Sequence, residues 1–282
     1  VDGVTLLQVA ATALLNAGFA WLTGSLLARA WLGPGLPLFL ERLLRAEKSA
    51  ALACLLGGAG AILAAAARMG DTGLLEALPT WWPVASGTDY GSATLLALVA
   101  VLGAAACIRV WWVSAAGLLA FALARASVSH GGEGGLLSAG CVVQAAHVLL
   151  IAAWLGGVGL AGWVVLPGAR RHAVAVDAYL DRLSRAATVA LAGIVLTGAW
   201  NSWQRLSAPS DLWSHPYGML LTAKLALVAG AAMLGGWNRL FGFPRAKAAA
   251  PDAALRVLRI ESAVLVAALI AAAALVAQQP PT

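Results

Sequence analysis

Charge is scarce in this chain. Only 11% of its 282 residues are Asp, Glu, Lys or Arg, against about 25% in an ordinary soluble domain. With 61% of the side chains hydrophobic, that scarcity excludes a water-soluble globule, which would have too little polar surface to cover its apolar bulk. Sulfur is scarce as well. Cys54, Cys107 and Cys141 stand singly in apolar runs, with no CxxC and no pairing pattern, so neither a disulfide framework nor a thiolate zinc site is indicated. They read as small buried hydrophobes. Met69, Met219 and Met233 are too few and too scattered for a thioether ladder of the kind that conducts Cu(I). No positively charged stretch precedes the first apolar run, which is longer than the apolar core of a secretory signal, so the first helix reads as retained.

Other absences narrow the function. The glycine-rich stretches lie inside apolar runs, without a preceding strand or a phosphate-binding lysine, which excludes the nucleotide-binding loops. No Ser/His/Asp spacing marks a hydrolase, and the chain is not read as an enzyme. The net charge is +6, but no basic block with interleaved aromatics is present, so nucleic acid is not an expected partner. Membrane orientation accounts for the basicity instead.

What is present is a series of long apolar segments. A window of about 19 residues marks spans near Leu6 to Leu32, Ala46 to Ala67, Ser92 to Ile108, Val110 to Ala126, Leu136 to Leu166, Leu183 to Leu206, Tyr217 to Phe241 and Leu255 to Ala277. Each is long enough for a ~30 Å hydrocarbon core, the third and fourth being short and tightly joined at Arg109. The expected fold is therefore all-α, a polytopic membrane helical bundle of about eight transmembrane helices. Arg29, Arg42, Arg45, Lys48, Arg109, Arg170, Arg171, Arg182, Arg185, Arg239, Arg245, Lys247, Arg256 and Arg259 fall on one side. Only Arg68, Arg125 and Arg205 fall on the other, and Lys224 lies within the seventh span. Cytoplasmic loops retain positive charge, so both termini are expected in the periplasm. Trp81, Trp82, Tyr90, His130, Asp211, Trp213 and His215 then lie on the periplasmic side, where the aromatics suit an interfacial belt or short helices on the membrane surface. His172 is cytoplasmic, and Gln278 to Thr282 read as a solvated tail.

The two halves echo each other. Trp21-Leu22-Thr23-Gly24 runs on to Pro34-Gly35 as Trp154-Leu155-Gly156-Gly157 runs on to Pro167-Gly168. Tyr90-Gly91 and Tyr217-Gly218 open equivalent spans, and Arg45 with Lys48 corresponds to Arg182 with Arg185. Three matches in one order suggest a 4+4 parallel internal repeat, residues 1–128 and 129–282, within a single membrane domain. The embedded polar groups concentrate in the second copy: His147 has Leu14 as its counterpart, and Lys224 has Ala97.

Ionisable groups at membrane depth are costly and face a cavity, a partner or a pathway. His147, Lys224 and Glu261 qualify. His147 lies about three turns into the fifth span, with Gln144 at i−3 and Trp154 at i+7 on its face. Neutral imidazole is a good copper ligand, and the competing reading is a histidine hydrogen-bonded between helices. His130 stands at the periplasmic mouth of the same span, so the two imidazoles are candidate metal ligands. His215 reads as a surface histidine. Lys224 would repel a metal ion unless neutralised, and Asn201 is a candidate amide neighbour. Met219 lies near the same mouth. Arg185, Asn238, Arg239 and Glu261 are expected together as a cytoplasmic polar cluster, read either as an ion-paired clamp or as an exit gate.

The second half resembles the CopD family of copper resistance proteins. The resemblance is carried by Ser129-His130, by HVLLIAAWLGG from His147 to Gly157, by RLSRAA from Arg182, by LTGAWN from Leu196 to Asn201, by YGMLLTAK from Tyr217 to Lys224, and by Asn238-Arg239 followed by Glu261. It implies copper transport across the bacterial inner membrane, from periplasm to cytoplasm, with copper as Cu(I) or Cu(II) and a contribution to copper resistance. His130 and His147 are carried over as candidate ligands, with Asn201 and Lys224 as polar neighbours. A periplasmic CopC-like copper-binding protein is an implied partner, and here it would be a separate chain. Leu183 stands where the family usually has phenylalanine, and Gly131 where it has alanine. Two rivals remain: a membrane chaperone delivering copper for cuproenzyme assembly, and a haem-binding redox protein using paired histidines.

Overall fold

The computed structural model describes residues 2–172, 176–204, 216–247 and 252–277, apart from the side chains of Pro34, His130, His172 and Pro216. Arg205, Asp211, Trp213, His215 and the Gln278 to Thr282 tail lie outside the described residues. Among those described, the protein is helical throughout and has no strand. Its long helices are α1 Gly3–Leu32, α2 Leu40–Gly70, α4 Asp89–Ala106, α5 Trp111–Ser127, α6 Ala139–Leu160, α8 Asp177–Trp203, α9 Pro216–Trp237 and α11 Asp252–Val276. Short helices are α3 Trp81–Gly87, α7 Leu166–His172 and α10 Phe243–Lys247.

Among the described residues, seven helical segments are long and apolar enough to cross a bilayer. The expected fourth span is the exception. It is the 17-residue helix α5, about 26 Å long at 1.5 Å per residue. The tight junction at Arg109 is a turn after α4, pinned by Ser114 Oγ, which donates to the carbonyls of Ala104 and Cys107, each at 2.9 Å.

Three helices expected to enter from the periplasmic side start with a side-chain cap. Asp2 accepts from Thr5 N at 2.6 Å, Thr88 from Gly91 N at 3.0 Å and Ser138 from Cys141 N at 3.2 Å. Each satisfies one of the backbone donors left over at a helix start. Trp81 and Trp82 sit on the short α3 that precedes α4. The Trp81 indole donates to Ala59 O at 2.9 Å, while Trp82 is exposed.

Helices α1 and α6 form the centre. Gly24 of α1 lies against the backbone of Gly156 of α6, and Gly156 against the Ala20 carbonyl. Small residues permit this closeness, and in lipid such packing is a principal force between helices. Around this axis α1 packs on α2, α5, α8 and α11, while α6 packs on α8, α11, α1 and α5. Each central helix thus touches the last long helix of the opposite half.

The two W-L-x-G runs end differently. After Leu32 the chain takes a 3-10 course through Gly33–Phe39, whereas α6 passes through a π turn, Ala161–Val165, and stays helical to His172. A second π turn, Asn238–Gly242, joins α9 to α10. Both pack on α11. A π turn opens the helical ladder, and π turns are frequent at functional sites. Here Gly162 O accepts from Arg259 Nε at 3.2 Å, and Asn238 Nδ2 donates to Ala254 O at 3.4 Å.

At the junction of α1 and α2, Arg29, expected on the Lys/Arg-rich side at the end of the first span, lies in the last turn of α1 and is buried against Glu47 of α2. Its Nε and Nη2 donate to the two carboxylate oxygens at 2.7 and 2.9 Å. Ser25 also bonds Glu47. The helix α2 begins at Leu40, several residues before its apolar run, and this brings Glu47 inside the bundle.

Candidate functional site

The face between α6 and α8 carries a ladder of polar contacts. At its outer end, the turn His130–Gly132 folds back on the start of α6. Gly131 lies so near that a Cβ there would stand 2.7 Å from Gly140 O and 3.3 Å from Gln144 Cβ, a physical reason for glycine at this position. The side chain of His130 is outside the described residues. One rung deeper, Asn201 Nδ2 donates to Gln144 Oε1 at 2.9 Å. Next, His147 Nδ1 stands 2.7 Å from Thr197 Oγ1. His147 is 8% exposed, and Gly198 leaves room beside its Cε1.

The hydrogen bonds of Thr197 fix the histidine tautomer. Thr197 Oγ1 donates to Gly193 O at 2.6 Å, and a carbonyl can only accept. The hydroxyl proton is therefore spent, and His147 Nδ1 must be the donor in the contact with Thr197. In the neutral ring the lone pair then lies on Nε2. This is the arrangement that orients a metal-binding imidazole: one nitrogen donates to a supporting group and the other coordinates.

Two helical turns below His147, about 10 Å along α6, the Trp154 indole donates to Glu261 Oε1 at 3.0 Å. Glu261 is only 2% exposed. It forms part of a cleft of about 150 Å³ between α8 and α9, floored by Trp154, Leu258 and Glu261 and walled by Ser184, Thr188, Gly235 and Arg239. Arg239 Nη1 donates to Thr188 Oγ1 at 2.8 Å. A second cleft adjoins it, lined by Asp181, Arg185, Pro244 and Lys247 and sharing Ser184, Arg239 and Phe243 with the first. Lys247 pairs with Asp181 there at 2.7 Å.

The residues of the expected polar cluster thus have separate surroundings. Glu261 and Arg239 share a cleft, Arg185 is exposed at its mouth, and Asn238 is turned toward Ala254 and Gly242. Glu261 is bonded to Trp154, a residue expected on the histidine face. Asn201 is bonded to Gln144, and Lys224 is half-buried on α9. Tyr217 is buried with Leu221 and Leu275, while Met219 is exposed. Among the described residues, no three His, Cys, Asp or Glu side chains gather as a metal cluster.

Sequence reasoning missed Thr197, whose role is visible only from its hydroxyl proton, and the Arg29–Glu47 pair. Glu47 did leave a signal: it lies inside the second predicted span.

Fold and site define the class, a multi-pass helical membrane protein with a polar seam through its second half. Residues 177–275 match the family model for CopD, copper resistance protein D, so that stretch of the chain is similar to this family. The match includes Thr197, Asn201, Arg239 and Glu261, whereas Gln144, His147 and Trp154 come from α6, which precedes it. No curated protein and no solved structure matches the chain significantly.

Proposed function

We propose that this protein is a copper permease of a bacterial inner membrane, taking copper from the periplasm at the His130 turn and His147 and conducting it to the cytoplasm. In this reading it contributes to copper homeostasis and resistance, and a CopC-like periplasmic protein hands over the ion. The observation that carries it is the His147–Thr197 hydrogen bond, which holds an embedded imidazole in a fixed orientation on the face packed against the stretch that resembles a copper-handling family. The Gln144–Asn201 amides stand one turn outside it, and the Trp154–Glu261 pair two turns inside. The halves are proposed to be a 4+4 repeat about the α1/α6 contact, supported by the reciprocal packing of α1 on α11 and of α6 on α5.

The orientation follows from charge. Arg170 with Asp252, Lys247 with Asp181, and Arg182 with the Ala30 and Trp31 carbonyls tie together the end where Lys and Arg abound. That end is assigned to the cytoplasm.

Copper accumulation by protein in liposomes, compared with His147→Ala, tests the reading. Uptake by wild type that the substitution abolishes supports transport. Copper binding by wild type without uptake overturns transport and favours a delivery chaperone. A Soret band in the purified protein would favour haem.

A further inference from the structure

Glu261 has a setting that copper liganding does not explain. Its carboxylate is 2% exposed, at mid-length of an apolar helix. Oε1 accepts from Trp154, and among the described residues no cation lies within ion-pair distance of either oxygen. A charge so placed is costly unless something neutralises it. The chemistry of the cleft limits what that can be. It offers no sulfur, which Cu(I) would prefer, and no imidazole, which suits Cu(II). A hard metal cation would need about six oxygens, and beside this single carboxylate the lining adds the hydroxyls of Ser184 and Thr188. The Thr188 hydroxyl already accepts from Arg239 and donates to Ser184 O at 2.8 Å. A proton needs one lone pair, and the carboxylate supplies it.

We propose that Glu261 is a proton-binding site reached from the mouth lined by Asp181, Arg185 and Lys247, and that its occupancy controls passage of the cation from His147. The second part rests on the transport reading. A proton arriving from water in the mouth forms an O–H bond at Oε2, and the same bond breaks when the proton returns. While ionised, the carboxylate attracts a cation inward from His147. Once protonated, it offers no such attraction, so acid on the mouth side slows uptake.

The groups around Glu261 do not supply the proton's charge by other means. Arg239 is the other ionisable group in the cleft, and it is bonded to Thr188. From α8, Asp181 and Arg185 line the outer cleft, and from α10 Lys247 pairs with Asp181, while Arg245 lies 6.0 Å from the centroid of the Trp237 ring. Arg259, on the same helix as Glu261, lies 4.6 Å over the Trp163 ring and donates to Gly162 O, and Arg256 stands farther toward its start. From α1, Arg29 is bound to Glu47. Lys224 stands about 16 Å along α9 from Gly235, which touches Glu261.

Two measurements on the whole protein in liposomes test this. Infrared difference spectra, with pH changed on the mouth side, should show a buried carboxyl band that titrates in wild type and is missing in Glu261→Gln. Absence of a titrating band, or its persistence in Glu261→Gln, overturns the proton site. Copper uptake should fall severalfold on mouth-side acidification in wild type, keep that dependence in Glu261→Asp, and be slow and flat with pH in Glu261→Gln. Uptake by Glu261→Gln as fast and as pH-dependent as wild type overturns the control of passage. If wild type moves no copper, the transport reading and the control of passage fail together, while the infrared titration still upholds or overturns the proton site.

Discussion

Thr197 holds His147 by accepting from Nδ1 at 2.7 Å while giving its own proton to the carbonyl of Gly193. The two residues are 50 positions apart, on α6 and α8. If this bond presents Nε2 to copper, Thr197→Val, which keeps the shape and removes the acceptor, lowers copper affinity by about 10- to 100-fold. His147→Ala removes it further. Competition titrations against a copper chelator measure both, and an unchanged affinity in Thr197→Val would show that the histidine binds no metal through this arrangement.

Backbone closeness at the centre makes a second expectation. A methyl group on Gly24 would enter the Gly156 backbone, and one on Gly156 would enter the Ala20 carbonyl. Neither neighbour can move without separating α1 from α6, so Gly24→Ala and Gly156→Ala should each cost several kcal/mol, beyond the ~1–3 kcal/mol of ordinary overpacking. Gly103 and Gly236 have open space at the same position. Alanine there is neutral or stabilising by up to about 1 kcal/mol. Thermal melts in detergent followed by size exclusion compare the four, and equal stability would refute the close contact.

The pair Arg29–Glu47 is buried from both sides, with side-chain exposures of 8% and 5%. Glu47→Gln leaves the guanidinium without its counter-charge, a change that costs about 3–5 kcal/mol in buried pairs. Replacing both partners, as Arg29→Met with Glu47→Leu, should recover most of that loss because no charge remains to be neutralised. A double variant no more stable than Glu47→Gln would mean that the pair contributes shape and not charge compensation.

Hydropathy made the spans readable because lipid imposes one composition over about 20 residues. Thus α6, α9 and α11 fall near their expected places. Where polar residues extend a helix past the apolar run, composition says nothing of the helix end, so the start of α2 was not legible, and the burial of Arg29 depends on Glu47 from another helix. The π turns at Ala161–Val165 and Asn238–Gly242 leave no periodic trace, since each adds only one residue to a turn. The face shared by Gln144, His147 and Trp154 followed from helical spacing. Their partners Asn201, Thr197 and Glu261 come from other helices, and no local pattern specifies which side chains meet across an interface.

Orientation can be read from a thiol already in the chain. Cys107 is exposed in the turn after α4, beside Arg109 and on the side where Lys and Arg abound, whereas Cys54 and Cys141 are buried. A buried thiol is shielded from the reagent, so a maleimide should find Cys107 first. With the Lys/Arg-rich end in the cytoplasm, a membrane-impermeant maleimide labels inside-out vesicles and leaves intact spheroplasts unlabelled, and Cys107→Ser abolishes the signal. Labelling of spheroplasts at Cys107 would invert the bundle, move the His130 turn to the cytoplasm and turn the proposed import route into an export route.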